Sequence, residues 1–132
     1  MDGIRPVSPN FVMIGMMNCR PPKELPENIK SFIEESGENG VIFVSFGSVL
    51  KASTMADSLR QKLLTVFRKL KQRILWKWES EEMEGKPDNV MLSKWFPQQD
   101  ILAHPKLKLF ITHAGQSSCQ EALCHQKPIV SL

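Results

Sequence analysis

A chain of 132 residues with 42% apolar and 23% charged residues has the make-up of one ordinary globular domain, which argues against a disordered, fibrous or low-complexity protein. Its net charge of +3 arises mostly from Arg60, Lys62, Arg68, Lys69, Lys71 and Arg73, answered shortly afterwards by Glu79, Glu81, Glu82 and Glu84. That dipolar pattern describes solvated faces rather than a basic, aromatic-interleaved footprint, so no nucleic-acid partner is expected.

Three cysteines, Cys19, Cys119 and Cys124, cannot all pair within one chain, so no disulfide framework is implied and the redox compartment stays open. No apolar run reaches the roughly 18 residues that span a bilayer. No hydrophobic leader follows the N-terminal methionine.

In chain order, residues 11–14 form one short apolar run, followed by Arg20, Pro21 and Pro22, where the proline rings fix the backbone and remove donors. Residues 1–40 therefore read as a linker and short helix leading into the domain. The helix opens at Leu25-Pro26-Glu27, passes through Phe32 and Ile33, and ends at Gly37, which suits a left-handed cap. Residues 41–46 are apolar apart from Ser45 and stop at Gly47, as expected of a strand buried on both faces.

Leu59, Leu63, Val66, Phe67 and Leu70 then recur at offsets of three and four, which predicts a helix laying that stripe on the sheet. Short strands are expected at 73–78, 89–94, 107–112 and 128–132, with helical pieces near 98–103 and 116–125. Strands alternating with helices predict an α/β fold, a Rossmann-like parallel sheet with flanking helices. The last strand stops at Leu132 without the crossover that would cover it, so the chain reads as a truncated domain.

In an open α/β sheet, ligands bind beyond the carboxyl ends of the strands, which directs attention to three places. They are Phe46-Gly47-Ser48, Trp95-Phe96-Pro97-Gln98, and the stretch from His113 through Gly115, Ser117 and Ser118 to Glu121. The third is a strand, a glycine turn and a helix start, where free N–H groups and the helix dipole favour a phosphate. His113 can donate to a phosphate oxygen, and Glu121, one turn on, can accept two vicinal ribose hydroxyls. The competing reading makes Ser117 or Ser118 a simple N-cap and His113 a satisfied strand-end histidine. Trp95 after a strand, with Pro97 stiffening the backbone, offers a base-stacking face, whereas Trp76 and Trp78 read as core. Cys119, Cys124 and His125 lack tetrahedral spacing, so no metal is expected, and no Ser-His-Asp relay is readable.

Taken in order, Val44-Ser45-Phe46-Gly47-Ser48, then Trp95-Phe96-Pro97-Gln98-Gln99-Asp100-Ile101-Leu102-Ala103-His104-Pro105, then Phe110-Ile111-Thr112-His113-Ala114-Gly115 with Ser118 and Glu121, strongly resemble the signature of the UDP-glycosyltransferases, particularly animal and insect members. The resemblance implies the C-terminal, donor-binding domain of a GT-B fold, with residues 41–132 forming part of it. It implies a UDP-sugar as donor without a metal, uracil on Trp95, and Gln98 at base and ribose. It further implies ribose hydroxyls on Glu121, and a diphosphate among Ser48, His113, Gly115, Ser117 and Ser118, with Phe96 counted in the same cofactor-binding set. The reaction implied is inverting transfer of glucose or glucuronic acid to a small lipophilic acceptor, bound through an N-terminal domain that also carries the catalytic histidine and its acid.

No catalytic residue is therefore assigned within these 132 residues, and the family's sugar-reading Asp/Glu-Gln pair falls beyond Leu132. The location implied for a full-length parent is the endoplasmic reticulum membrane, lumenal side. Ala114 and Gln126 stand where the family has glycine, and a side chain there would strain a turn of positive φ. The alternative reading is a non-catalytic binding or regulatory module that oligomerises with full-length enzymes through its sheet edge.

Overall fold

The computed structural model describes residues 8–12, 14–47, 54–80 and 82–132; Ser48, and Glu81 of the acidic cluster, lie outside these described residues. Five strands form one wholly parallel sheet in the order β3-β2-β1-β4-β5. They are β1 (Val41–Ser45), β2 (Arg73–Lys77), β3 (Val90–Ser93), β4 (Leu107–Thr112) and β5 (Ile129–Ser131), joined by helices α2 (Asp57–Lys69), α3 (Gln98–Ala103) and α4 (Gln116–Cys124), with α1 (Glu27–Glu34) ahead of them.

The central strand explains the apolar run, because successive side chains enter opposite cores. Ile42 and Val44 join Leu64, Phe67, Ile74, Trp76 and Ile111 beneath α2. Val41 and Phe43 join Ile29, Ile33, Leu75, Ile101 and Phe110 beneath α1, α3 and α4. Phe43 stacks on Phe110 at 5.2 Å, and Phe67 meets Trp76 edge-on at 5.4 Å. Each such ring or aliphatic chain contributes about 1.5–3 kcal/mol by leaving water. Trp76 and Trp78 are core residues, as their strand context suggests.

The face of α2 differs from the expected one. Leu64 and Phe67 are buried, with Leu63 and Leu70 packed partly beside them, whereas Leu59 and Val66 are exposed. Both stripes share the positions of Leu63, Phe67 and Leu70, so the helix presents the expected face rotated toward Leu64 and away from Leu59 and Val66. Arg60, on the buried edge, reaches Asp57 at 3.0 Å.

The N-terminal segment is tied to the domain at several points. Ile29 and Ile33 of α1 are core residues, Arg73 bonds Glu35 at 2.6 Å and lies over the Phe32 ring, and Lys106 bonds Glu34. The expectation of no disulfide is also corrected, since Cys19 and Cys124 are joined across 105 residues with their Cα atoms 5.9 Å apart. That separation lies in the range a disulfide requires. Sequence spacing held no sign of the pair, because the approach depends on residues 19–23 folding back across α3 and α4.

Helix α4 ends in two reciprocal bonds, Gln126 N–H to Leu123 O at 3.1 Å and Lys127 N–H to Ala122 O at 2.9 Å, a Schellman motif. The motif demands a left-handed residue at Gln126, whose φ is 55°, and Ala114 has φ 58°. Both positions flagged in the sequence are thus strained side chains where glycine relaxes the backbone. Gln126→Gly and Ala114→Gly should each raise unfolding stability by about 0.5–1 kcal/mol, the αL penalty less the added chain entropy. Urea denaturation of the single and double variants checks this, and the two gains should add.

Candidate functional site

The order β3-β2-β1-β4-β5 places a reversal of strand order between β1 and β4, and a cleft opens at the strand ends there, as the topology requires. It encloses about 370 Å³ and is lined by Ser45, Gly47, Lys77, Trp95, Gln98, Ser118 and Glu121 together with Arg20, Phe96, Pro97 and Gln99. A larger depression of about 780 Å³ flanks the body of β3, around Met83, Lys86 and Met91. It lies away from the switch point, which favours the smaller cleft as the ligand site.

Each wall follows from local structure. The loop from β3 to α3 leaves Trp95 66% exposed. Its backbone is fixed because Ser93 Oγ donates to Trp95 O at 2.7 Å, because Phe96 is buried edge-on against Phe43, and because Pro97 caps α3. Gln98 Nε2 donates to Glu121 Oε2 at 2.6 Å and to Ser118 Oγ at 3.2 Å, while Gln99 Nε2 donates to Glu121 Oε1 at 3.3 Å. One amide donor on each oxygen leaves the carboxylate further lone pairs for a ligand's hydroxyls.

At α4, Gly115 is the N-cap and no side chain caps the helix, so the reading of Ser117 or Ser118 as a plain N-cap does not hold. The first bond into the helix is Cys119 N–H to Gly115 O. The amides of the first turn therefore remain available to an anion. Ser118 is buried against Gln98, whereas Ser117 faces solvent.

The Cε1–Nε2 edge of the His113 ring packs against two glycines. A Cβ on Gly47 would stand 2.7 Å from its Cε1, and one on Gly115 2.7 Å from its Nε2. Its Nδ1 is buried and, among the described residues, has no hydrogen-bond partner.

Trp95, Phe96, Gln98, Ser118 and Glu121 thus come together in one cleft, with His113 and Gly115 behind Gly47 at its edge. Sequence reasoning missed three lining side chains. Lys77, the last residue of β2, reaches Gly47 O at 2.7 Å, and applying the strand-end rule to β2 would have found it. Gln99 was visible only as a neighbour of Gln98. Arg20 bears no local signal, since its partner Asp100 is 80 residues away.

That pair is a fork: Arg20 Nη1 and Nη2 donate to Asp100 Oδ1 and Oδ2 at 2.7 and 2.9 Å, and Lys23 N–H adds a third bond at 2.7 Å. The guanidinium bonds hold the Asp100 carboxyl below its ordinary pKa, burial opposing them and the Lys23 amide assisting. A depressed carboxylate contributes stability that is present above its unfolded value of about 3.9 and is lost as pH falls through the folded value. Asp100→Asn should accordingly flatten the acid limb of the thermal midpoint below about pH 4, measured by circular dichroism against the parent chain.

Residues 1–132 match the sequence model of the family described as UDP-glucoronosyl and UDP-glucosyl transferase. The chain belongs to this family. UDP-glycosyltransferase UGT5 of Dactylopius coccus is 40% identical over 132 residues, all of this chain and 25% of that protein. A UDP-glucuronosyltransferase of Pleuronectes platessa is 40% identical over 133 residues, 98% of this chain and 28% of that protein. The chain therefore spans about a quarter of the length of the curated relatives it matches. Among solved structures, Os79 from O. sativa in complex with UDP superposes with a TM-score of 0.65 at 20% identity, over 82% of this chain and 25% of that one. The fold is that of a GT-B glycosyltransferase domain, a parallel sheet with flanking helices. Among the described residues, no helix is long and apolar enough to cross a membrane, and no cluster of three or more His, Cys, Asp or Glu is placed to hold a metal ion.

Proposed function

We propose that this chain is the donor-nucleotide part of a UDP-sugar-dependent glycosyltransferase. The observation that carries the reading is the convergence, in one strand-end cleft, of an exposed indole, a carboxylate with spare acceptor sites and the open N-terminus of α4. Trp95 stacks on uracil, with the buried Phe96 anchoring the platform. Gln98 contacts base and ribose, and Glu121 takes the ribose hydroxyls. Ser117, Ser118, His113 and Gly115 surround the diphosphate, joined by Ser48 through the family resemblance. The relatives' names, glycosyl- and glucuronosyltransferases, and the UDP bound by the O. sativa protein favour a UDP-sugar carrying glucose or glucuronic acid.

The chemistry is inverting transfer to a hydroxyl of a small lipophilic acceptor. Negative charge grows on the departing diphosphate, and fixed N–H and hydroxyl donors act best where that charge develops. This part requires no metal, because N–H, hydroxyl and imidazole groups take that role. The general base and the acceptor site are assigned to no residue of this chain, which is expected to bind donor without transferring sugar. For the whole protein we place the site on the lumenal side of the endoplasmic reticulum membrane.

Calorimetric titration with UDP, CMP and ADP tests the reading. UDP should bind most tightly, and equal affinity for the three would refute it.

A further inference from the structure

The ribose-facing constellation is shared between two short helices. Gln98 and Gln99 come from α3, which is six residues long, and Glu121 comes from α4. Residues 19–23 cross both. At one end Cys19 is bonded to Cys124, three residues beyond Glu121 and so on the same face of α4. At the other, Arg20 and the Lys23 amide grip Asp100, in the same turn of α3 as Gln98 and Gln99.

Asp100 is 6% exposed, so its carboxylate has few alternatives to this grip and the turn is held where the segment holds it. Arg20 itself lines the cleft, and the Glu121 charge acts on its guanidinium. Hydrogen bonds weaken steeply with misalignment, so a small change in the spacing of α3 and α4 would disturb the two amide contacts that orient Glu121.

We propose that residues 19–23 form a brace across α3 and α4, with Arg20 as a positioning residue that sets Gln98 and Gln99 against Glu121 and thereby governs recognition of the ribose 2′-hydroxyl. The inference rests on the nucleotide reading above. Because one end of the brace is covalent, ribose recognition becomes sensitive to the thiol state of Cys19 and Cys124. Reduction by an added phosphine transfers two electrons to the disulfide, water supplying two protons to the sulfurs and its oxygen to the phosphine oxide, and the two thiols formed free one end of the segment.

The test uses the 132-residue chain carrying Cys119→Ser, which removes the free thiol that could exchange with the pair. UDP and 2′-deoxy-UDP are titrated calorimetrically with the disulfide intact and after phosphine reduction, the cleavage being verified by mass. Arg20→Met and Arg20→Lys are titrated alongside. The intact chain should prefer UDP by about tenfold, the scale of one hydrogen bond to a charged group. Reduction and Arg20→Met should each cut that preference to about twofold, and Arg20→Lys, which keeps the charge and loses the fork, should recover part of it.

A preference unchanged by reduction or by Arg20→Met overturns the brace, even where overall affinity falls, because a merely structural role weakens both nucleotides alike. The reduction arm stands if Arg20→Met fails to fold. Failure of the intact chain to bind UDP at all would overturn the nucleotide reading itself, and equal preference in the two thiol states overturns this inference alone.

Discussion

Replacing Trp95 with alanine should weaken UDP binding by about five- to 150-fold, the equivalent of about 1–3 kcal/mol of base stacking. The thermal midpoint should hardly move. The indole is 66% exposed, so little packing is lost, and the features that hold the loop lie in its neighbours: the Ser93 hydroxyl, the buried Phe96 ring and Pro97. This separation of binding from stability is what distinguishes a stacking platform from a core aromatic. Trp76→Ala, at a fully buried ring packed on Phe67, should do the reverse and destabilise by about 3–5 kcal/mol. Tryptophan fluorescence supplies an independent readout. Trp76 and Trp78 are buried, so quenching on UDP addition should come from Trp95 and vanish in the variant. Unchanged UDP affinity in Trp95→Ala would remove stacking from the account.

Most of this architecture can be read from local chemistry, and the exceptions share a cause. Apolar strands separated by amphipathic helices define a parallel sheet almost by themselves, because each face must be covered. Strand-end reasoning then reaches Trp95, Gln98 and Glu121 without reference to contacts. Even the positive φ at Ala114 and Gln126 accords with the family resemblance, which implies glycine at both positions. Other features depend on how distant segments meet. Whether α2 turns Leu59 or Leu64 inward depends on the sheet below it. The Cys19–Cys124 bond and the Arg20–Asp100 fork depend on a segment rich in proline that looks like a linker until its partners are known. Lys77 is intermediate. Its charge at the end of an apolar strand is a local signal, but its contact with Gly47 O is made only when β2 lies beside β1.

Gly47→Ala should lower stability by about 2–5 kcal/mol and displace His113. Two separable effects are involved. With φ at +81° an alanine is strained in any surroundings, by about 1–2 kcal/mol. Its Cβ would also stand 2.7 Å from His113 Cε1, an overpacking worth about 1–3 kcal/mol if the ring cannot withdraw. Gly115 approaches the same Cε1–Nε2 edge of the ring, where a Cβ would be 2.7 Å from Nε2. Gly115→Ala isolates the steric effect, since φ there is −59° and alanine adopts it freely. Combining each change with His113→Ala in a double-mutant cycle separates the two. Without the ring, the penalty at Gly115 should largely disappear, whereas Gly47→Ala should retain about 1–2 kcal/mol of backbone strain. Denaturant midpoints give the stabilities and UDP titration gives the binding consequence. Equal rescue at both glycines would mean that the imidazole, and not the left-handed turn after β1, accounts for the glycine at position 47.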